Sequence, residues 1–123
     1  MIKGIGIDII EIERIKDAIT RRKDAFIERL FTEKERQMCP TGSETSLATH
    51  YAGRFAAKEA VSKALGTGFR GIDWKDIEII SDELGKPNVF LSQKIRERFG
   101  NPQLLITISH SKIHASAFCL WQE

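Results

Sequence analysis

The sequence predicts an α+β fold in which a mostly antiparallel sheet packs against one long central helix, and three observations carry that reading. Residues 44–65 form an extended, alanine-rich run with apolar positions at helical spacing. Short apolar segments near both ends of the chain have the alternation or β-branched content of strands, and brief turns join them in pairs, as antiparallel strands allow. With 123 residues the chain can bury one hydrophobic core and reads as a single domain, 1–123.

In chain order, residues 2–10 read as a strand. Ile5, Ile7 and Ile9 share one face, while Gly4, Gly6, Asp8 and Ile10 take the other. The glycines strip bulk from the face of Asp8 and leave room for something to approach it. Ile12, Ile15 and Ile19 recur at helical spacing, so a helix is expected from near Glu11. A second helical stretch covers Phe26–Phe31 and continues after Thr32, where Thr32-Glu-Lys-Glu35 has the capping-box pattern. Cys39-Pro-Thr-Gly-Ser-Glu44 marks a turn. The long helix follows, Glu44 to Leu65, with Leu47, Tyr51, Phe55, Val61, Ala64 and Leu65 as its buried stripe and Gly66 as its stop. Ile77–Ile80 and Asn88–Leu91 read as paired strands around the turn Asp82–Pro87. Ser92–Phe99 is a short amphipathic helix closed by Gly100-Asn-Pro102, and Leu104–Ser109 and His114–Trp121 are strands joined by His110–Ile113.

Composition excludes several classes of function. Hydrophobic residues at 41% and charged residues at 29% do not fit a disordered chain. No apolar run approaches the ~20 residues that span a bilayer, and the first residues lack a secretory pattern, so no membrane association is expected. The two cysteines, Cys39 and Cys119, form neither a metal spacing nor a disulfide framework, which suits reduced thiols in the cytoplasm. A net charge of +2, from 19 basic and 17 acidic residues, excludes a surface built to grip nucleic acid throughout but permits a local basic patch.

Several residues carry possible chemistry. Asp8 with Glu11 three positions on reads as a helix cap and its partner, or as a carboxylate that organises a metal or phosphate; the residues alone favour the cap. Glu59 and Lys63 lie four apart on one helix face. They form either a surface ion pair or, beside the apolar Phe55, a carboxylate and an ammonium suited to phosphate chemistry. Arg54 and Lys58 read as a second basic ridge alongside. Gly66-Thr-Gly-Phe-Arg-Gly71 has the spacing G-x-G-x-x-G but follows a helix, so the dinucleotide reading fails. What remains is a helix stop, or a loop whose amides approach an anion. Ser109-His110-Ser111 reads as a solvated turn, with neither His50 nor His114 at a metal-ligand spacing from it. Arg14, Lys16, Arg21, Arg22 and Lys23 stand against the single Asp17, giving either a solvated helix face or a docking surface for an acidic partner.

Together, Gly4-Ile-Gly-Ile-Asp8-Ile-Ile-Glu-Ile-Glu-Arg-Ile15 and Arg54-Phe-Ala-Ala-Lys-Glu59-Ala-Val-Ser-Lys63-Ala-Leu-Gly-Thr-Gly68 resemble the holo-[acyl-carrier-protein] synthases, the small bacterial-type branch of the 4'-phosphopantetheinyl transferases. Leu84-Gly-Lys-Pro87 and Ile106-Thr-Ile-Ser-His-Ser111 agree in order and placement, so the resemblance spans the chain. It implies the transferase fold and the transfer of phosphopantetheine from coenzyme A to a serine of apo-acyl carrier protein, releasing adenosine 3',5'-bisphosphate, in fatty acid biosynthesis. It makes Asp8 and Glu59 the Mg²⁺ carboxylates, reversing the cap reading, and Lys63 the ammonium on the leaving phosphate. Glu59 also orients or deprotonates the serine on this reading. Arg54, Gly66, Gly68, Lys86, Pro87, Ser109 and Ser111 would line the coenzyme site, with His110 as a phosphate contact or base. The family further implies a homotrimer with active sites between subunits. Its partner, the acyl carrier protein, is small and strongly acidic, which selects Arg14 and Arg21, seven apart on one helix face, as the carrier-binding contacts. The competing reading is a non-catalytic module that docks an acidic protein or nucleic acid through its basic helix; the constellation of Asp8, Glu59 and Lys63 argues against it.

Overall fold

A computed structural model of the chain describes residues 1–22 and 24–123. Strand β1 (Ile2–Glu11) leads into α1 (Ile12–Arg22), α2 (Asp24–Leu30), α3 (Glu33–Gln37) and the long α4 (Glu44–Leu65). A short 3₁₀ turn at Trp74–Asp76 precedes β2 (Ile77–Ser81) and β3 (Pro87–Leu91), followed by α5 (Gln93–Phe99), β4 (Gln103–His110) and β5 (His114–Gln122). The strands form two antiparallel sheets, one of order β1-β5-β4 and one pairing β2 with β3. This is the expected α+β arrangement, with α4 lying across the larger sheet.

Local chemistry sets the helix ends. Ser43 accepts the Ser46 N–H at 3.1 Å to open α4, and Gly66 closes it in the left-handed region at φ 86°. Thr32 and Glu35 form the reciprocal capping box at the start of α3. Helix α4 is buried almost all round, by Ala48, Tyr51, Ala52, Ala56, Ala57, Ala60, Val61, Ala64 and Leu65, as befits a helix that sheet and helices enclose.

The glycines of β1 have a different use from the one expected. A side chain at Gly4 would collide with the Ala64 carbonyl oxygen, and one at Gly6 with that of Ala60. What approaches this face of the strand is therefore α4 itself, and the small residues on both partners let the backbones close. The opposite face is uncovered. Ile5, Ile7 and Ile9 are 62%, 63% and 65% exposed, and Leu105 of β4 and Phe118 of β5 stand beside them at 49% and 36%. The strand also outruns its expected end, pairing with β5 as far as Glu11 opposite His114. Asp8, opposite Ala117, is thus a mid-strand residue, and the cap alternative falls because no helix begins there.

Candidate active site

Asp8 shares its strand face with Gly4, Gly6 and Ile10, so its carboxylate points toward α4 at the β1 edge of the sheet. Glu59 and Lys63, on one face of α4, meet it there. The Lys63 ammonium donates to Asp8 Oδ1 at 3.2 Å and to the Ile7 carbonyl at 2.9 Å. Lys63 therefore pairs with Asp8 across the fold. Burial raises the Glu59 carboxyl above its usual range; the neighbouring Asp8 charge raises it further, and Lys63 opposes both. Two carboxylates and an ammonium, all open to solvent in part, thus converge on one spot.

This donor set fits Mg²⁺. The ion prefers hard oxygen ligands, keeps several waters and typically takes one or two carboxylates together with substrate phosphates. Among the described residues no group of three or more His, Cys, Asp or Glu gathers into an all-protein cage; a metal held by Asp8 and Glu59 would leave its remaining positions to water and phosphate oxygens.

Gly66 and Gly68 lie just beyond Lys63 at the end of α4. Both have positive φ, and the Gly68 N–H donates to the Ser62 carbonyl at 3.1 Å. A second group of expected residues gathers elsewhere. Arg54 and His110 line a cleft of about 380 Å³ with Thr45, Ser46, Thr49, His50, Gly53 and Ile108. Arg54 donates to Ser81 Oγ at 2.9 Å, and Ser81 pairs with Pro87, so Lys86 and Pro87 stand on the same side. Arg54 and Glu59 are five positions apart on α4, which turns them about 140° from one another. The carboxylate cluster sits at the β1 edge and the Arg54–His110 cleft at the β4 edge.

Ser109 and Ser111 join neither group. Ser109 alternates with His110 and lies on the uncovered sheet face, while Ser111 Oγ accepts the Ile113 and His114 N–H groups at 3.2 and 3.1 Å and shapes the turn. The hydroxyls of Thr45, Ser46 and Thr49, with His50, were missed by sequence reasoning. Their i, i+4 spacing at the start of α4 is the signal that could have found them. Burial holds His50 down to about 4, aided by the Arg54 charge. Lys58 is not part of a basic ridge: it is fully buried against Glu35 at 2.7 Å. Arg14 and Arg21 share a surface groove with Asp17, Ala18, Arg22 and Phe26; Lys23, the last residue of the expected basic patch, lies outside the described residues.

This fold, with carboxylates from a strand and a helix beside a helical lysine, is that of a phosphopantetheinyl-transferring enzyme. The chain belongs to the 4'-phosphopantetheinyl transferase superfamily, whose family model matches residues 4–118. Its curated relatives are holo-[acyl-carrier-protein] synthases. That of Protochlamydia amoebophila is 51% identical over 122 residues, 98% of each chain. Among solved structures, the holo-(acyl-carrier-protein) synthase of Bacillus anthracis, in complex with CoA (3',5'-ADP), matches with a TM-score of 0.82 and 42% identity, covering 98% of this chain and 96% of that one. The Helicobacter pylori holo-[acyl-carrier-protein] synthase in complex with coenzyme A gives 0.85 and 35%, covering 96% and 99%.

Proposed function

We infer that this chain transfers the 4'-phosphopantetheine of coenzyme A to a serine of apo-acyl carrier protein, with adenosine 3',5'-bisphosphate as the second product, and so serves fatty acid biosynthesis. The observation that carries the reading is the convergence of Asp8, Glu59 and Lys63 at one sheet edge in a chain of this family. Residues 1–123 act as one transferase domain. None of the described helices is long and apolar enough to cross a membrane; the cytoplasm is proposed as the place of work because the family's substrates, coenzyme A and acyl carrier protein, are found there.

In the reaction the serine oxygen attacks the phosphorus that carries pantetheine, and the bond from that phosphorus to the bridging oxygen of the pyrophosphate breaks. Asp8 and Glu59 hold Mg²⁺, which when bound supplies neutralising charge at the pyrophosphate. Lys63 reaches the same place with an ammonium and stabilises the charge that grows on the leaving phosphate. Glu59, with its carboxyl raised by burial, is suited to take the serine proton. The Gly66–Gly68 backbone, Arg54, Lys86, Pro87 and His110 bind the coenzyme, and Arg14 and Arg21 dock the acidic carrier.

One chain separates the carboxylate cluster from the Arg54–His110 cleft, which supports a complete site shared between copies, and the family resemblance implies that the assembly is a homotrimer. The uncovered face of Ile5, Ile7, Ile9, Leu105 and Phe118 supports this, since exposed apolar patches of that kind mark interfaces. Ser109 lies on the same face. Weighing apo-carrier after incubation with the enzyme, Mg²⁺ and coenzyme A tests the activity: a gain of one phosphopantetheine is expected, and no gain across several carriers would favour a docking module. Mixing inactive Glu59→Gln and Arg54→Ala chains tests the shared site, which requires activity to reappear on mixing.

A further inference from the structure

The interior holds an ammonium that the transfer chemistry does not use. Lys58 is fully buried on α4, immediately before Glu59. Its three donors are matched by three oxygens: the Leu30 carbonyl at 2.7 Å, Glu35 Oε1 at 2.7 Å and the Trp74 carbonyl at 3.0 Å. Each acceptor belongs to a different segment. Leu30 ends α2, Glu35 is the third residue of α3, and Trp74 opens the 3₁₀ turn. Glu35 is equally enclosed. Its Oε1 also accepts the Thr32 N–H at 2.8 Å, and its Oε2 accepts the Ile79 N–H of β2 at 2.7 Å.

A buried ion pair is poor evidence for stability, because desolvation of both charges offsets their attraction. What this pair specifies is geometry. Helix α2 packs on α1, and Phe26 of α2 lines the same groove as Arg14, Arg21 and Arg22. Trp74 stacks on Phe69 at 4.0 Å between ring centroids, and Phe69 lies in the loop that follows Gly66 and Gly68. One side chain of α4 therefore ties both the platform of the carrier surface and the coenzyme loop to the helix that bears Glu59.

We propose that Lys58 is a positioning residue for the transfer, holding α2 and the Trp74 turn in register with Glu59 so that the carrier serine and the pyrophosphate meet in line. The inference rests on the function proposed above. Neither substrate surface needs Lys58 for its own contacts, so its loss leaves each substrate bound and slows the step that needs both. A misplacement of about 1 Å at a reacting pair costs on the order of 10²-fold in rate.

Lys58→Met alone strands the Glu35 charge and is expected to destabilise the fold. The informative variant is Lys58→Met/Glu35→Leu, which removes both charges. A folded protein with a lowered melting temperature is expected, because the Thr32 and Ile79 N–H groups lose their acceptor, with kcat lowered roughly 10- to 100-fold and the separately titrated Kd values for coenzyme A and apo-carrier within about twofold. Glu35→Asp keeps both charges but shortens the strut by one methylene, and should show a smaller kcat loss of the same kind; it decides the matter if the double variant does not fold. Normal kcat in a folded double variant, or in Glu35→Asp where only that variant folds, would overturn the proposal, as would a loss confined to either Kd. Failure of the underlying function is a separate outcome, in which the parent protein itself modifies no carrier.

Discussion

Replacing Asp8 by Asn separates the catalytic role proposed for this residue from any structural one. The exchange keeps size and hydrogen-bonding capacity and deletes one charge. In the fold, the charge contacts Lys63 at 3.2 Å, where the ammonium side chain is 50% exposed. At that separation the attraction in water is about 1 kcal/mol before screening, and exposed pairs deliver ~0–1 kcal/mol. For a domain of this size, a loss of that order lowers the melting temperature by no more than about 3–5 °C. On the proposed metal role catalysis should suffer far more, because the exchange would remove one of the two carboxylates offered to a hard cation. Removing a single preorganised charge-stabilising group typically costs ~10²–10³ in kcat, and a loss of that size is expected here at saturating Mg²⁺. Thermal melting and carrier modification followed by mass spectrometry, on the same preparation, give both numbers. Near-normal turnover with a normal melt would refute the metal assignment, and a collapsed melt would refute the view that Asp8 contributes little to the fold.

Other expectations follow from the same geometry. Lys63→Ala should chiefly lower kcat, since an ammonium on a departing phosphate matters most in the transition state; a raised KM for coenzyme A at unchanged kcat would reduce Lys63 to an anchor. Arg14→Glu/Arg21→Glu should weaken use of the carrier, flatten its salt dependence and leave coenzyme A affinity alone; kinetics at low and moderate salt check this, and unchanged carrier kinetics would leave α1 a solvated face. His50 should stay neutral down to about pH 4. Because its pKa is depressed by folding, its contribution to stability is present above its ordinary value near 6.5 and is lost as pH falls toward 4; imidazole NMR shifts read this directly, and a midpoint near 6.5 would contradict the buried placement.

Local signals in the sequence were enough to locate most elements. Gly66, Thr32 and Glu35 announce helix ends by their own local chemistry, and the end of α4 follows from the first. Alternation along β1 gave the two faces but not what covers each. The glycine face meets α4 and the isoleucine face is open, because packing partners come from distant segments. Lys58 shows the same limit. Four residues after Arg54 it reads as its neighbour on a basic ridge, and its true partner, Glu35, is brought in only by the tertiary fold. Asp8, Glu59 and Lys63 were legible as a set through the family resemblance. Their separation from Arg54 and His110 was not, since it depends on how α4 crosses the sheet.

The reaction of this chain is group transfer rather than coenzyme binding or hydrolysis. The most direct test counts both products in one reaction of the parent protein with Mg²⁺, coenzyme A and apo-acyl carrier protein: adenosine 3',5'-bisphosphate by chromatography and modified carrier by mass. Both products are expected in equal amounts, with almost none of either from Glu59→Gln. Nucleotide released without a matching gain of phosphopantetheine on the carrier, or undiminished transfer by Glu59→Gln, would contradict this.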